Sequence, residues 1–234
     1  AAACAEDGRV AGELVECRPD ELRLLRGSLY CEARRIDAVL ELCQTTPPHV
    51  YRAFKAERIV LFNGPIFPIL SDKRNIALLS ESLETGAFDA EEAETIRRYV
   101  PWTRRVLPGD AELHGDRLPM RDLLLAHRGE VVLKEAMSYG GKGVAIGEFT
   151  PAAEWEARVD EALSGGDWVA QEKVDSLPYL YQHGEHGAEP SDLIWGPFLF
   201  GRTYGGLFLR SQPKSARGVV NLTQTATEGT PFEV

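Results

Sequence analysis

The stretch Val131-Val-Leu-Lys-Glu-Ala-Met-Ser-Tyr-Gly-Gly-Lys-Gly-Val144 decides how this chain is read. Val131 to Lys134 opens on β-branched and apolar residues and predicts a buried strand. Gly140, Gly141 and Gly143 then cluster around Lys142. Glycines let backbone N–H groups approach phosphate oxygens with no Cβ in the way, and Lys134 and Lys142 flank the loop as point charges. Gly143-Val-Ala-Ile-Gly147 predicts a returning strand, which makes the whole a hairpin lid. A P-loop would follow its lysine with Ser or Thr to hold magnesium, but Gly143 follows Lys142. A dinucleotide fingerprint would run straight into a helix, and the next helix signal waits until Thr150-Pro151. The plainer alternative is a structural hairpin with an exposed Lys142.

Moving outward, Thr150-Pro151 starts a helix that puts Trp155, Val159 and Ala162/Leu163 on one face and stops at Gly165-Gly166. Trp168 to Glu172 predicts the next strand, a strand edge whose Gln171 and Glu172 offer hydrogen-bonding groups to a purine. Upstream, Leu118 to Arg128 predicts a helix ending at Gly129, and Val100-Pro-Trp-Thr103 breaks the chain at a subdomain boundary. Lys73 to Leu83 has helical spacing with Ser71 or Asp72 as cap, and Asp89 with Glu92 makes a capping-box start for a helix to about Arg98. Ile59 to Phe62 predicts a buried strand ending at Asn63-Gly64, and Leu29 to Leu42 a strand turning into a helix. Residues 9–17 alternate weakly, like a strand. Asp175 to Pro190 is polar and His/Gly-rich and predicts a mobile loop, followed by strands over Phe198–Arg210 and Gly218–Thr225.

Apolar content of 44% and charged content of 26% are those of a soluble globular protein, and no apolar run approaches the roughly 20 residues that span a bilayer. A formal charge of −10 disfavours nucleic acid and anionic membranes as partners. Cys4, Cys17, Cys31 and Cys43 contain no C-x-x-C pair and no zinc pattern, so they read as free thiols in a reducing cytoplasm. His183-Gly-Glu-His186 has metal-like spacing only on a helix, and Gly184 argues against one.

Four segments then fall into one order: Pro101-Trp-Thr103, Val-Leu-Lys134, Tyr-Gly-Gly-Lys-Gly-Val144 and Gln-Glu-Lys-Val174. Together they span about 75 residues and resemble the lid subdomain of the ATP-grasp superfamily. The resemblance implies that Lys134 touches the α-phosphate and adenine. It implies that Ser138, Gly140, Gly141, Lys142 and Gly143 close over the β- and γ-phosphates, and that Gln171, Glu172, Lys173 and Val174 form the adenine hinge.

Most ATP-grasp enzymes carry their magnesium ligands after the hinge, but after Val174 neither Glu185, Asn221 nor Glu228 completes a set. Upstream, Arg34-Arg-Ile-Asp37 and a strand ending at Asn63-Gly64 resemble the circularly permuted ATP-grasp group related to glutathionylspermidine synthases, in which the metal strands precede the lid. This extends the resemblance from about Leu29 to the C-terminus. It implies that Arg35 stabilises phosphoryl charge, that Asp37 and Asn63 hold Mg2+, and that Arg210 binds phosphate or a substrate carboxylate. Leu61 stands where an acidic ligand is expected, with Glu32, Glu41 or Glu57 as substitutes. The other reading of Arg35 and Asp37 is a surface ion pair, and that of Asn63-Gly64 a plain turn. Lys73-Arg74 and Arg104-Arg105 read as solvated cations.

The implied fold is α+β, an ATP-grasp of two α+β subdomains in permuted order with ATP between them. Residues 101–174 form the lid, and 1–100 with 175–234 the metal and substrate side. The implied activity is ATP-dependent carboxylate–amine (or carboxylate–thiol) ligation on small molecules through an acyl phosphate. The alternatives are an ATP-binding domain without ligase activity, or a phosphotransferase using the same site. No Met opens the chain and only about 30 residues precede Arg34, so the resemblance further implies a substrate domain that this segment lacks.

Overall fold

A computed structural model describes residues 12–41, 46–182, 187–216, 218–220 and 226–229. The chain is a mixed α+β protein divided into two compact units, residues 1–71 and 72–234. The expected break at Val100 to Thr103 therefore lies within the second unit. Cys4, Cys43, Glu185, Asn221 and the His183–His186 motif lie outside the described residues.

In the first unit, β1 (Leu22–Leu25), β2 (Ser28–Cys31) and β3 (Arg34–Ile36) form an antiparallel meander. Then β4 (Ala38–Leu40) crosses through helix α1 (Pro48–Lys55) to β5 (Val60–Phe62), and the two strands pair in parallel. A single turn, α2 (Phe67–Leu70), follows. The α1 face carrying Val50 and Ala53 closes on Leu29 and Ile59 to make a small core. The expected helix within Leu29–Leu42 is replaced by β2, β3 and β4. Leu29 and Cys31 are buried alternately along β2, a period of two that the mixed composition hid.

The second unit begins with helices α3 (Arg74–Ser82) and α4 (Ala90–Tyr99). The expected capping box on α4 is present in both directions: Asp89 Oδ1 accepts from Glu92 N at 2.9 Å, and Glu92 Oε2 accepts from Asp89 N at 3.1 Å. Next come β6 (Thr103–Arg105), the hairpin β7 (Asp110–Leu113) and β8 (Asp116–Pro119), helix α5 (Met120–Ala126), β9 (Val131–Glu135), β10 (Val144–Ile146), helix α6 (Ala152–Gly165) and β11 (Trp168–Glu172). Leu118, expected to open α5, instead belongs to β8, where it pairs with Ala111.

Strands β10, β9, β11 and β6 form one antiparallel sheet in that order. Val131 and Leu133 of β9 and Trp168 and Ala170 of β11 point to one face, where they meet Leu123 and Leu124 of α5 and Trp155, Val159 and Ala162 of α6. The indole N–H of the fully buried Trp155 donates to Leu124 O at 2.8 Å, so the residue brings bulk to the core without an unsatisfied donor. Helix α6 stops where Gly166 turns left-handed at φ +68°. Beyond β11, β12 (Tyr179–Gln182), β13 (Ala188–Phe200), β14 (Thr203–Pro213) and β15 (Thr227–Gly229) form a second antiparallel sheet. Part of the stretch expected to be a loop, Asp175 to Pro190, is thus strand. Tyr179 to Gln182 pairs with Ala188 to Ser191 despite its polar surroundings, because a partner strand and not local composition satisfies its backbone.

Candidate functional site

The face of the four-stranded sheet opposite α5 and α6 carries the chemistry. Alternation along β9 puts Lys134 there, and its antiparallel partners Val144 and Val169 flank it. Gln171, two residues along β11 from Val169, shares this face and accepts from Lys134 Nζ through Oε1 at 2.5 Å. Gln171 Nε2 in turn donates to Thr103 Oγ1 at 2.9 Å. Burial makes the Lys134 ammonium easier to deprotonate than an ordinary lysine, and the positive charge of Lys73 acts in the same direction.

Lys73 is the functional candidate that sequence reading missed. It is half-buried at the start of α3, with its Nζ donating to Ser138 O at 2.6 Å and Ala136 O at 3.4 Å. Its backbone N–H also donates to Ala136 O at 3.1 Å. The expectation of a solvated cation fails because α3 packs on β6 and brings its first residue to the hairpin loop, which no local signal reveals. Burial lowers the Lys73 pKa, and Asp72 and Glu135 offset this only in part. Its neighbour Arg74 is held by Asp72 and Asp167 at 2.7 and 2.8 Å. The other expected solvated pair is likewise occupied: Arg104 reaches Glu84 and Arg105 reaches Glu81, both at 2.8 Å.

The glycine loop is a hairpin, as its sequence predicts, with β10 returning antiparallel to β9. Gly140, Gly141 and Gly143 all have positive φ, at +67°, +76° and +61°. Ser138 Oγ donates to Glu135 O at 3.2 Å, and the Lys142 side chain is exposed at the tip. Lys134 thus lies in the sheet, Lys73 reaches the loop backbone and Lys142 sits on the loop, with the Glu135 side chain against Gly143.

The hinge departs from expectation. β11 is an interior strand between β9 and β6, and the backbone N–H groups of Glu172 and Lys173 donate to Trp102 O and Glu130 O at 2.8 and 2.7 Å. The Lys173 ammonium pairs with Glu148 and Asp175 at 2.7 and 2.9 Å, which raises its pKa. Glu172 lies 3.6 Å from His114 Nε2. Val174, two residues past the end of β11, is 67% exposed, and among the described residues nothing accepts from its N–H.

Arg210 sits on β14 opposite Ile194 and Glu228, its guanidinium 5.9 Å from the Phe208 ring centre. Among the described residues its buried Nε has no hydrogen-bond partner, which leaves donor capacity for an anion.

In the first unit, Arg35 Nε and Nη2 both donate to Asp37 Oδ1, at 2.9 and 2.6 Å, in an exposed pair. Asp37 precedes β4 while Asn63 follows β5. Because those strands are parallel and Ala38 stands beside Val60, the two residues lie at opposite ends of the pair. Four residues of strand rise separate them by roughly 13 Å, so they do not share one ion. Asn63, left-handed at φ +60°, instead donates from Nδ2 to Glu41 O at 3.4 Å. That contact is to the Glu41 backbone, and the Glu41 carboxylate accepts from Thr46 Oγ1 at 2.6 Å. Among the described residues no group of three or more His, Cys, Asp or Glu is placed to hold a metal ion, and Asp37 and Asn63, at opposite ends of the β4–β5 pair, do not fit as one set.

Comparison with protein-family models gave no match, and comparison with curated proteins gave no relative. Of the two described cysteines, Cys31 is buried and Cys17 half-buried; burial and the neighbouring Cys31 thiol push the Cys17 thiol up to about 11. Among the described residues no helix is long and apolar enough to cross a membrane.

Proposed function

We propose that the second unit binds ATP as an ATP-grasp lid and that the protein is an ATP-dependent carboxylate–amine ligase. The observation that carries the nucleotide reading is the placement of two half-buried lysines, Lys134 and Lys73, beside a loop of left-handed glycines. Among the described residues neither lysine is ion-paired to a carboxylate at salt-bridge distance, and burial disfavours the charge of each, which a bound polyanion would offset. A phosphate chain accepts from both ammonium groups and from the glycine N–H groups at once. Val174 supplies the backbone N–H for the base.

Ligation rests on the resemblance of the four lid segments and of Arg34–Asp37. In that reaction a substrate carboxylate oxygen attacks the γ-phosphorus, ADP leaves with the bond to the bridging oxygen broken, and an acyl phosphate forms. An amine (or thiol) then attacks the acyl carbon, loses its proton, and phosphate departs. The chain's part is positioning and charge neutralisation by Lys134, Lys73, Lys142 and, for the substrate carboxylate, Arg210.

The second reading is an ATP-binding domain without ligase activity. It is favoured by the separation of Asp37 from Asn63 and by the capture of Asp37 by Arg35. Calorimetric titration with ATP and magnesium tests the shared claim, and absence of binding overturns both readings. ADP release that requires both a carboxylate and an amine supports ligation. Binding without turnover on a broad panel of each leaves the second reading standing alone.

A further inference from the structure

We infer that Thr103 is a positioning residue for Lys134, acting through the side-chain amide of Gln171. The geometry is a directional chain of three hydrogen bonds. Thr103 is 1% exposed, and its hydroxyl donates its single proton to Pro101 O at 2.9 Å. A hydroxyl so committed only accepts on its other side, so the Gln171 Nε2 group must face it, at 2.9 Å. That choice turns Gln171 Oε1 toward Lys134, a donor with no acceptor of its own, at 2.5 Å. Both ends of the chain demand the same amide orientation. Lys134 is thereby held by one of its three N–H groups on the sheet face opposite α5 and α6.

The chain is rooted in the scaffold. Thr103 N donates to Ser80 Oγ at 3.1 Å, and Arg104 Nη1 donates to the same oxygen at 2.8 Å. Ser80 is buried on α3, the helix whose first turn carries Lys73 to the glycine loop. One helix therefore sets both lysines, Lys73 directly and Lys134 through Thr103 and Gln171. The β-branched threonine suits the strand backbone of β6, while its hydroxyl gives the chain its direction.

The role in nucleotide binding rests on the reading above, but the effect on Lys134 does not. The test uses the full chain with Thr103→Val, Thr103→Ser and, as a second way of removing the same contact, Gln171→Met. Nitrogen-15 NMR of the lysine ammonium groups across pH follows Lys134, assigned by its loss in Lys134→Arg. Without the hydroxyl, the amide N–H₂ is left buried without that acceptor and the side chain swings away, taking Oε1 off the ammonium. In Thr103→Val and in Gln171→Met the Lys134 proton is then lost about one pH unit lower than in the wild type. Thr103→Ser, which keeps the hydroxyl, titrates as the wild type does. Affinity for ADP falls about tenfold in the first two variants and is unchanged in the serine variant, by calorimetry. Unchanged Lys134 titration in Gln171→Met and in a folded Thr103→Val overturns the inference, as does a serine variant that behaves like the valine one. Wild-type protein that binds no ADP overturns the nucleotide reading, and the NMR comparison then still decides the positioning chain.

Discussion

Gly143 lies against the side chain of Glu135 so closely that a Cβ on Gly143 would stand 2.6 Å from Glu135 Oε2. The two residues also share a backbone bond, with Glu135 N donating to Gly143 O at 2.8 Å, so the glycine loop closes on its own entry strand.

Two glycine substitutions in this hairpin are expected to rank by what each new Cβ meets. Gly143→Ala places a side chain at φ +61° but against a carboxylate that can swing away, so its cost is the backbone one, about 1–2 kcal/mol. Gly147 is buried, and a Cβ there collides with the carbonyl oxygen of Arg128, which cannot yield without moving the chain. Gly147→Ala should therefore be the more destabilising, by about 3 kcal/mol or more. Urea denaturation of both variants checks the order.

Lys134→Met should separate binding from stability. The ammonium is held below its usual pKa by burial, so the folded state holds this proton less tightly than the unfolded chain does. The penalty is fully present below the folded pKa and fades as pH rises toward the unfolded value, so stability gains with pH across that window. Replacing the charge with a thioether removes the penalty: the variant melts at or above the wild-type temperature at pH 7. It should also lose ATP affinity by at least tenfold, roughly 1.4 kcal/mol. Wild-type ATP affinity should decline as pH rises through the depressed Lys134 pKa, which titration at several pH values measures.

Trp155 is expected to be the costliest single truncation in the core of this unit. Trp155→Ala removes a fully buried indole and should cost about 3–5 kcal/mol. Trp155→Phe keeps most of the bulk but drops the bond to Leu124 O, with an expected cost of about 1–2 kcal/mol. Guanidinium denaturation monitored by circular dichroism compares the two.

Asp72 should contribute to the acid limb of stability. Its hydrogen bonds from Arg74 hold the carboxyl below the usual carboxylate value. A depressed carboxylate pKa gives stability that is present above the unfolded value near pH 4 and lost as pH falls through the folded one. Asp72→Asn is expected to cost about 1 kcal/mol or less at pH 7 and less at pH 3 than at pH 7. Thermal melts at the two pH values test this.

Local signals carried the elements that depend on neighbours in sequence. The hairpin over Val131–Ile146, helix α6 with its buried Trp155, Val159 and Ala162, strand β11 and the Asp89–Glu92 box each rest on periodicity, a cap or a turn residue within a few positions. So does the placing of Lys134 on a strand beside the loop. Tertiary structure decided where distant segments meet. It brought Lys73 to Ser138 across 65 positions, made β11 an interior strand so that the Glu172 and Lys173 N–H groups are already taken, and put Asp37 and Asn63 at opposite ends of a parallel pair. It also linked Thr103, Gln171 and Lys134. The physical reason is common to all of these: residue type and spacing set what a side chain can donate or accept, while strand order and register set which group it finds.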